Sequence, residues 1–331
     1  MARINSWTAR KLSYASRAQL VQTVLFGVQA YWAQLFIFPA KIAKLIESMC
    51  RSYLWSGAGQ ITKKALIAWE RVCWPRSEGG LGLINMHIWN RAAIAKLCWD
   101  LENKEDKLWI KWIHTYYLKG QNAWQKREQA SWMIRKIMQA KIIVDQVQLK
   151  EGKGMVKKLY DYLRGEQAKP EWKGLMFKNA ARPKAIFTLW ILLNRKLATV
   201  DRLAKWGVVH DPTCVLCKGA DESLDHLFLQ CHFAEEVWER VLTWAGFYNN
   251  RPRTWIQFMH WSIQNGKGKT TKAQLFQTIM AEGVYAIWNK RNKRIFEDKK
   301  CLIDEVINKI AYVTIARSPI SINNVISHRK I

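Results

Sequence analysis

The sequence predicts a mainly α protein with a helical first part, a small helical unit built on a cysteine/histidine metal site, and a basic helical tail. Three observations carry this. Apolar residues recur at helical spacing in one segment after another. Prolines and glycines stand where such segments would open and close. A Cys-x2-Cys-x8-His-x4-Cys pattern, Cys214, Cys217, His226 and Cys231, supplies four soft ligands within 18 residues.

Taken in order, residues 18–40 carry no charge. Their length would allow a membrane span, but four glutamines interrupt them. Val21, Val24, Leu25, Val28, Trp32 and Leu35 form one face, so the reading is a buried amphipathic helix. Pro39 opens a second helix with Ile42, Leu45, Ile46, Met49 and Tyr53 on a common side, and Gly57-Ala58-Gly59 ends it. The glycine-rich turn Glu78 to Leu83 has neither GxGxxG spacing nor a Walker lysine, so it reads as a tight loop between helices. A helix follows from about Asn85 to Leu101. Residues 126–170 are polar, with little sustained apolar period, and read as a connector with one helix around Trp132 to Gln146.

Beyond the connector, Pro183 fits a helix N-terminus, with Phe187, Trp190 and Ile191 as its buried stripe. Phe233 to Ala245 reads as a helix closed by Gly246. A long helix starts near Thr271, with Leu275, Ile279, Ile287 and Trp288 inward, and ends on Lys290-Arg291-Asn292-Lys293-Arg294. The domains expected are therefore 1–125, 126–170, 171–250 and 251–331.

The four ligands are enough to close a tetrahedral structural Zn²⁺ site with no position left for water. Such a site shapes a fold and performs no hydrolysis. A redox dithiol or half of a disulfide framework would need only the two cysteines of the CxxC, and His226 alone could be a core histidine; none of these explains the third cysteine at ligand spacing. His232 and His210 stand close enough in sequence to substitute as ligands. The other cysteines, Cys50, Cys73, Cys98 and Cys301, are scattered, which implies a reducing compartment.

Charge narrows the function. With 53 Lys and Arg against 26 Asp and Glu, the net charge of +27 suits a polyanionic partner, RNA and/or DNA, and not a small-molecule substrate. Between Val241 and Ala281 there is no acidic side chain. Most of the 19 Trp lie beside apolar positions and are expected in the core, with base stacking open to a few such as Trp288. The Lys290–Arg294 run reads as a phosphate contact, a nuclear address or a solvated helix face. No apolar h-region follows the basic N-terminus, so secretion is not expected. The nucleus is the expected compartment and the cytoplasm the alternative, with no membrane partner.

Several motifs together carry a family resemblance. Leu12-Ser13-Tyr14-Ala15-Ser16-Arg17, the Trp-x3-Phe-x2-Pro from Trp32 to Pro39, Tyr53-Leu54-Trp55-Ser56-Gly57, Trp69 to Pro75 and Gly79-Gly80-Leu81-Gly82 resemble the thumb and connection of plant non-LTR (LINE-type) retrotransposon reverse transcriptases. Ser16 departs from the family's usual glycine, and a strained backbone is expected there. Arg182 to Trp190, Arg195 to Leu203, the four ligands, Glu222 to Phe228 and Trp238 are similar to the zinc-binding domain of those enzymes. The resemblance runs over roughly residues 5 to 300. It implies Cys214, Cys217, His226 and Cys231 as zinc ligands, and Lys184, Arg195 and Arg202 as phosphate contacts beside them. Arg251, Arg253, Lys290, Arg291, Lys293 and Arg294 complete the candidate nucleic-acid contacts.

The polymerase chemistry of that family needs paired aspartates, and no Asp-Asp dipeptide occurs in the sequence. After Arg240 the acids are only Glu282, Glu297, Asp298, Asp304 and Glu305, a weak match to a nuclease and too few for a ribonuclease H domain. The expectation is a zinc-stabilised, nucleic-acid-binding piece of a larger polyprotein, not an enzyme by itself, with Met1 an internal methionine. The competing expectations are a protein-interaction module built on the zinc unit and Trp-rich helices, or a transposon relic without function.

Overall fold

The computed structural model describes residues 12–57, 60–62, 65–117, 130–147, 154–176, 178–208, 211–247, 252–299, 302–319 and 326, which form helices joined by loops. Ser13 starts α1 (Tyr14–Leu20) by accepting the Ser16 N–H on its hydroxyl. Ser16 therefore occupies a right-handed helical turn, where a side chain costs nothing, and the strain expected from its departure from glycine does not arise.

A π turn, Val21–Leu25, separates α1 from α2 (Phe26–Leu35). The extra residue in that turn rotates the buried face. It runs through Val21, Phe26 and Ala33 and leaves Trp32 half exposed, which corrects the single face expected from α-helical spacing. Helix α3 (Ala40–Ser56) follows Pro39 and ends on Gly57 in the left-handed region. Its second half supplies most of the buried side chains, with Tyr53 and Leu54 fully buried; in the first half Ala43 is buried while Ile42 and Leu45 face solvent.

After α4 (Trp69–Cys73), a 3₁₀ turn at Arg76–Glu78 leads into the glycine loop. A Cβ on Gly80 would lie 2.0 Å from the Trp74 carbonyl oxygen, so only glycine fits. Trp190 donates its indole N–H to the Gly79 carbonyl at 2.8 Å, and Glu78 takes the Arg164 guanidinium. The loop is a packing hub.

Helix α5 (Met86–Glu102), capped by Asn85, is surrounded by α6 (Leu108–Tyr116), α7 (Trp132–Gln139), α8 (Lys141–Gln146) and α9 (Met155–Arg164). Ala92, Cys98, Leu101, Ile110, Ile134, Ile137 and Leu159 make a core of their own. The stretch expected to be a connector thus builds half of a second core. Each of its helices is short and buries one to three apolar residues, too few to establish a period.

The remaining helices are α10 (Lys173–Met176), α11 (Pro183–Leu193), α12 (Val200–Lys205), α13 (His232–Ala245), α14 (Trp255–Gly266), α15 (Thr271–Glu297) and α16 (Ile303–Arg317). Pro183 at the start of α11 and Gly246 at the end of α13 act as expected. Phe187, Trp190 and Ile191 are buried, as are Leu275, Ile279 and Ile287. These helices share one core with α1 to α4, including Val21, Tyr53, Leu54 and Trp69. The boundary expected at residue 125 therefore does not separate the cores. Among the described residues, buried side chains from Val21 to Met86 pack with the metal unit and the tail, and buried side chains between Ala92 and Tyr160 form the other cluster. No helix among the described residues is long and apolar enough to cross a membrane.

Candidate metal centre and its basic surround

An isolated antiparallel bridge between Thr213 and Asp221 pinches the chain into a knuckle. Inside it, Cys214 N–H donates to the Ala220 carbonyl and Lys218 N–H to the Cys214 carbonyl, both at 2.8 Å, with Lys218 in the left-handed region. The Gly219 amide points at Cys217 Sγ, 3.5 Å away. The other two ligands come from a second π turn, His226–Gln230, closed by Cys231 N–H on the His226 carbonyl at 2.7 Å. Ser223 fixes its start by accepting the His226 N–H at 3.0 Å.

The four ligand atoms lie within 4.8 Å of one another. Cys214 Sγ and Cys231 Sγ are 3.9 Å apart, and Cys217 Sγ is 3.2 Å from His226 Nε2. Zinc held at about 2.3 Å from each sulfur in a tetrahedron needs sulfur–sulfur edges of about 3.8 Å, so donor types and spacing both fit. Cys214, Cys231 and His226 are buried and Cys217 is partly so. The hydrogen bond with Cys231, aided by the Cys217 and Leu216 amides, outweighs burial and draws the Cys214 thiol down to about 4. The same bond and burial push Cys231 up. A metal held by this pair would need both sulfurs as thiolates. His232 is exposed and outside the cluster, and His210 lies outside the described residues.

The knuckle is held from the far end of the chain. Arg294, on α15, donates to the carbonyls of Val215 and Leu216 inside the CxxC loop, at 2.9 and 2.7 Å. One turn earlier, Arg291 is 1% exposed and grips Glu222, which is fully buried. Its Nε lies 3.0 and 3.1 Å from the two carboxylate oxygens and its Nη2 lies 2.7 Å from Oε1. Glu222 also accepts the Val200 N–H at 2.9 Å, tying α12 to the knuckle. A second buried carboxylate, Glu282, holds Arg182 ahead of α11 through both the backbone N–H and the guanidinium.

These contacts correct part of the expected nucleic-acid surface. Arg291 is a buried ion-pair partner with no face for phosphate, and Lys290 is 3% exposed. Arg294 is half-buried and committed to the knuckle carbonyls, while Lys293 is half-buried beside them in sequence. Glu282, weighed as a nuclease acid, is spent on Arg182. Lys184 stands at the opposite end of α11 from Arg195, roughly 16 Å away along the axis, with its ammonium 5.2 Å over the Tyr285 ring. Arg251 lies outside the described residues.

Arg195 and Arg202 do meet. They line one open cleft of about 480 Å³ with Asp201, Lys205, Trp206, Ser223, Leu224 and Asp225, on the outer side of the turn that presents His226. Arg195 pairs with Asp225 at 3.1 Å and stacks 4.9 Å over Trp255, two residues beyond the exposed Arg253. Arg202 stacks 5.2 Å over Trp206. The reading from sequence missed Glu222, Lys205 and Trp206. Lys205-Trp206 at a helix end was a visible cue, but nothing local in Glu222 announces a partner 69 residues away.

Comparison with known proteins agrees with this geometry. Residues 155–238 match the family described as zinc-binding in reverse transcriptase. A protein of Arabidopsis thaliana named as a ribonuclease H is 30% identical over 120 residues, 36% of this chain and 19% of that protein. The chain thus spans about a fifth of the length of that relative. The segment that carries the four ligands is thus similar to the zinc-binding domain found in reverse transcriptases.

Proposed function

We propose that this chain is a nucleic-acid-binding unit derived from a LINE-type retroelement reverse transcriptase, stabilised by structural Zn²⁺ on Cys214, Cys217, His226 and Cys231. The observation that carries the reading is the closed four-ligand knuckle with Arg195, Arg202, Lys205 and Arg253 around it, in a chain of net charge +27. All four metal positions come from side chains, so the ion would build the surface and leave no open position for a reacting water. The role is binding, not catalysis, with RNA or DNA as partner and the nucleus as the compartment where both occur.

The test is zinc stoichiometry by elemental analysis, together with oligonucleotide affinity at two salt concentrations, before and after chelation. One zinc per chain, steep weakening with salt, and loss of both helicity and binding on chelation are the expected results. Absence of zinc with unchanged circular dichroism would overturn the reading. A protein-docking role has one observation in its favour, the exposed ring cluster Tyr31, Trp32 and Phe36. Failure to bind a polyanion column would favour it.

A further inference from the structure

We propose that the cleft beside His226 is a site for single-stranded nucleic acid, with Trp206 as the platform for a base; this rests on the nucleic-acid reading above and adds the strand form and the residue. Trp206 is 54% exposed at the end of α12, although an indole in a merely solvated wall gains nothing from facing water. Its ring already carries the Arg202 guanidinium at 5.2 Å, and Arg195 lies over Trp255 at 4.9 Å. The cleft thus brings together two flat cations on indoles, a set suited to stacked bases.

Its charge argues against a backbone-only site. Arg195, Arg202 and Lys205 face Asp201 and Asp225, a surplus of one positive charge among the cleft residues. Asp225 is engaged by Arg195, and Asp201 accepts the Thr199 hydroxyl at 2.5 Å. So small a surplus holds one or two phosphates, and affinity at this place must come mainly from base faces. A duplex hides those faces in its stack; a single strand offers them. The position next to the four ligands explains the order of the cleft, because Ser223 and Asp225 immediately precede the turn that presents His226 and Ser223 accepts the His226 N–H.

The experiment uses the zinc-loaded full chain and three labelled probes of matched sequence: a single-stranded RNA, the same strand as DNA, and a hairpin duplex. Trp206→Ala should weaken single-strand binding about tenfold, within the range that base–aromatic stacking supplies, and leave duplex binding nearly unchanged. Trp206→Phe should restore most of the loss. Zinc content and circular dichroism of both variants should match the parent, since the ring is exposed. A loss confined to RNA or to DNA supports the site and identifies the strand. Unchanged single-strand affinity in Trp206→Ala, or an equal fall for the duplex, overturns the cleft assignment while the wider nucleic-acid reading stands. Failure of the parent protein to bind any of the probes overturns both.

Discussion

Removal of the Glu222 carboxylate tests the assignment of Arg291 to the protein interior. In Glu222→Ala, Arg291, 1% exposed, keeps the Asn292 Oδ1 hydrogen bond at 3.0 Å and its stacking 4.9 Å over Trp288, and loses three contacts to the carboxylate. Breaking one side of a buried ion pair costs about 3–5 kcal/mol. The Val200 N–H also loses its acceptor, worth about 1–3 kcal/mol by itself. These terms share atoms and do not add in full, so the expectation is a loss of about 4–5 kcal/mol. Against a total of roughly 5–15 kcal/mol, that is enough to leave the chain barely folded. The assay is urea unfolding followed by circular dichroism at fixed free zinc, because metal binding contributes to the apparent stability. The double replacement Glu222→Leu with Arg291→Met should recover most of the loss, since an apolar pair of similar volume removes the uncompensated charge. A shift below about 1 kcal/mol for Glu222→Ala would refute the argument. So would an Arg291→Met protein of full stability whose only defect is nucleic-acid affinity.

Cys217→Ser should abolish stable zinc binding, and hydrogen exchange should then accelerate in α11 to α13 and also in α1 and α3, which share their core, while the cluster around α5 keeps its protection. Arg294→Met removes two charge-assisted hydrogen bonds to the knuckle, so zinc transfer to a chromogenic chelator should quicken with little change in helicity. Gly80→Ala places a methyl group against the Trp74 carbonyl and should lower stability by about 2–3 kcal/mol, read from the urea midpoint. Burial pushes the thiols of Cys50 and Cys98 up to about 12, so near pH 8 about one in ten thousand is thiolate. Alkylation followed by mass mapping should therefore spare both in the native protein at that pH and reach them only as it unfolds.

The metal site and the helix ends were legible from the sequence because their signals are local. Cys214 to Cys231 lie within 18 residues, Pro183 marks a first turn, and Gly246 supplies the left-handed residue that stops α13. The two π turns were not legible, since one added residue in a turn leaves composition unchanged while rotating every later side chain. Trp32 moved from the expected core to the surface for that reason. Pairings across the chain were equally silent. Lys290 to Arg294 reads as a solvated or phosphate-binding run until Glu222 and the Val215 and Leu216 carbonyls are seen to occupy two of its arginines.

The clasp of α15 on the knuckle also sets an order of events during synthesis. Glu222 leaves the ribosome 69 residues ahead of Arg291, an interval of roughly 3–14 s at ordinary translation rates. For most of that interval, once Cys231 has followed nine residues behind Glu222, the ligands can already take up metal, but the carboxylate beside them has no counter-charge and the CxxC carbonyls have no guanidinium. A nascent chain therefore carries a half-built knuckle that only the arginines of α15 complete. The same holds for any piece cut at residue 238, where the family match ends. Such a piece would keep all four ligands and still lack the arginines that lock them, so the smallest autonomous unit extends at least through α15.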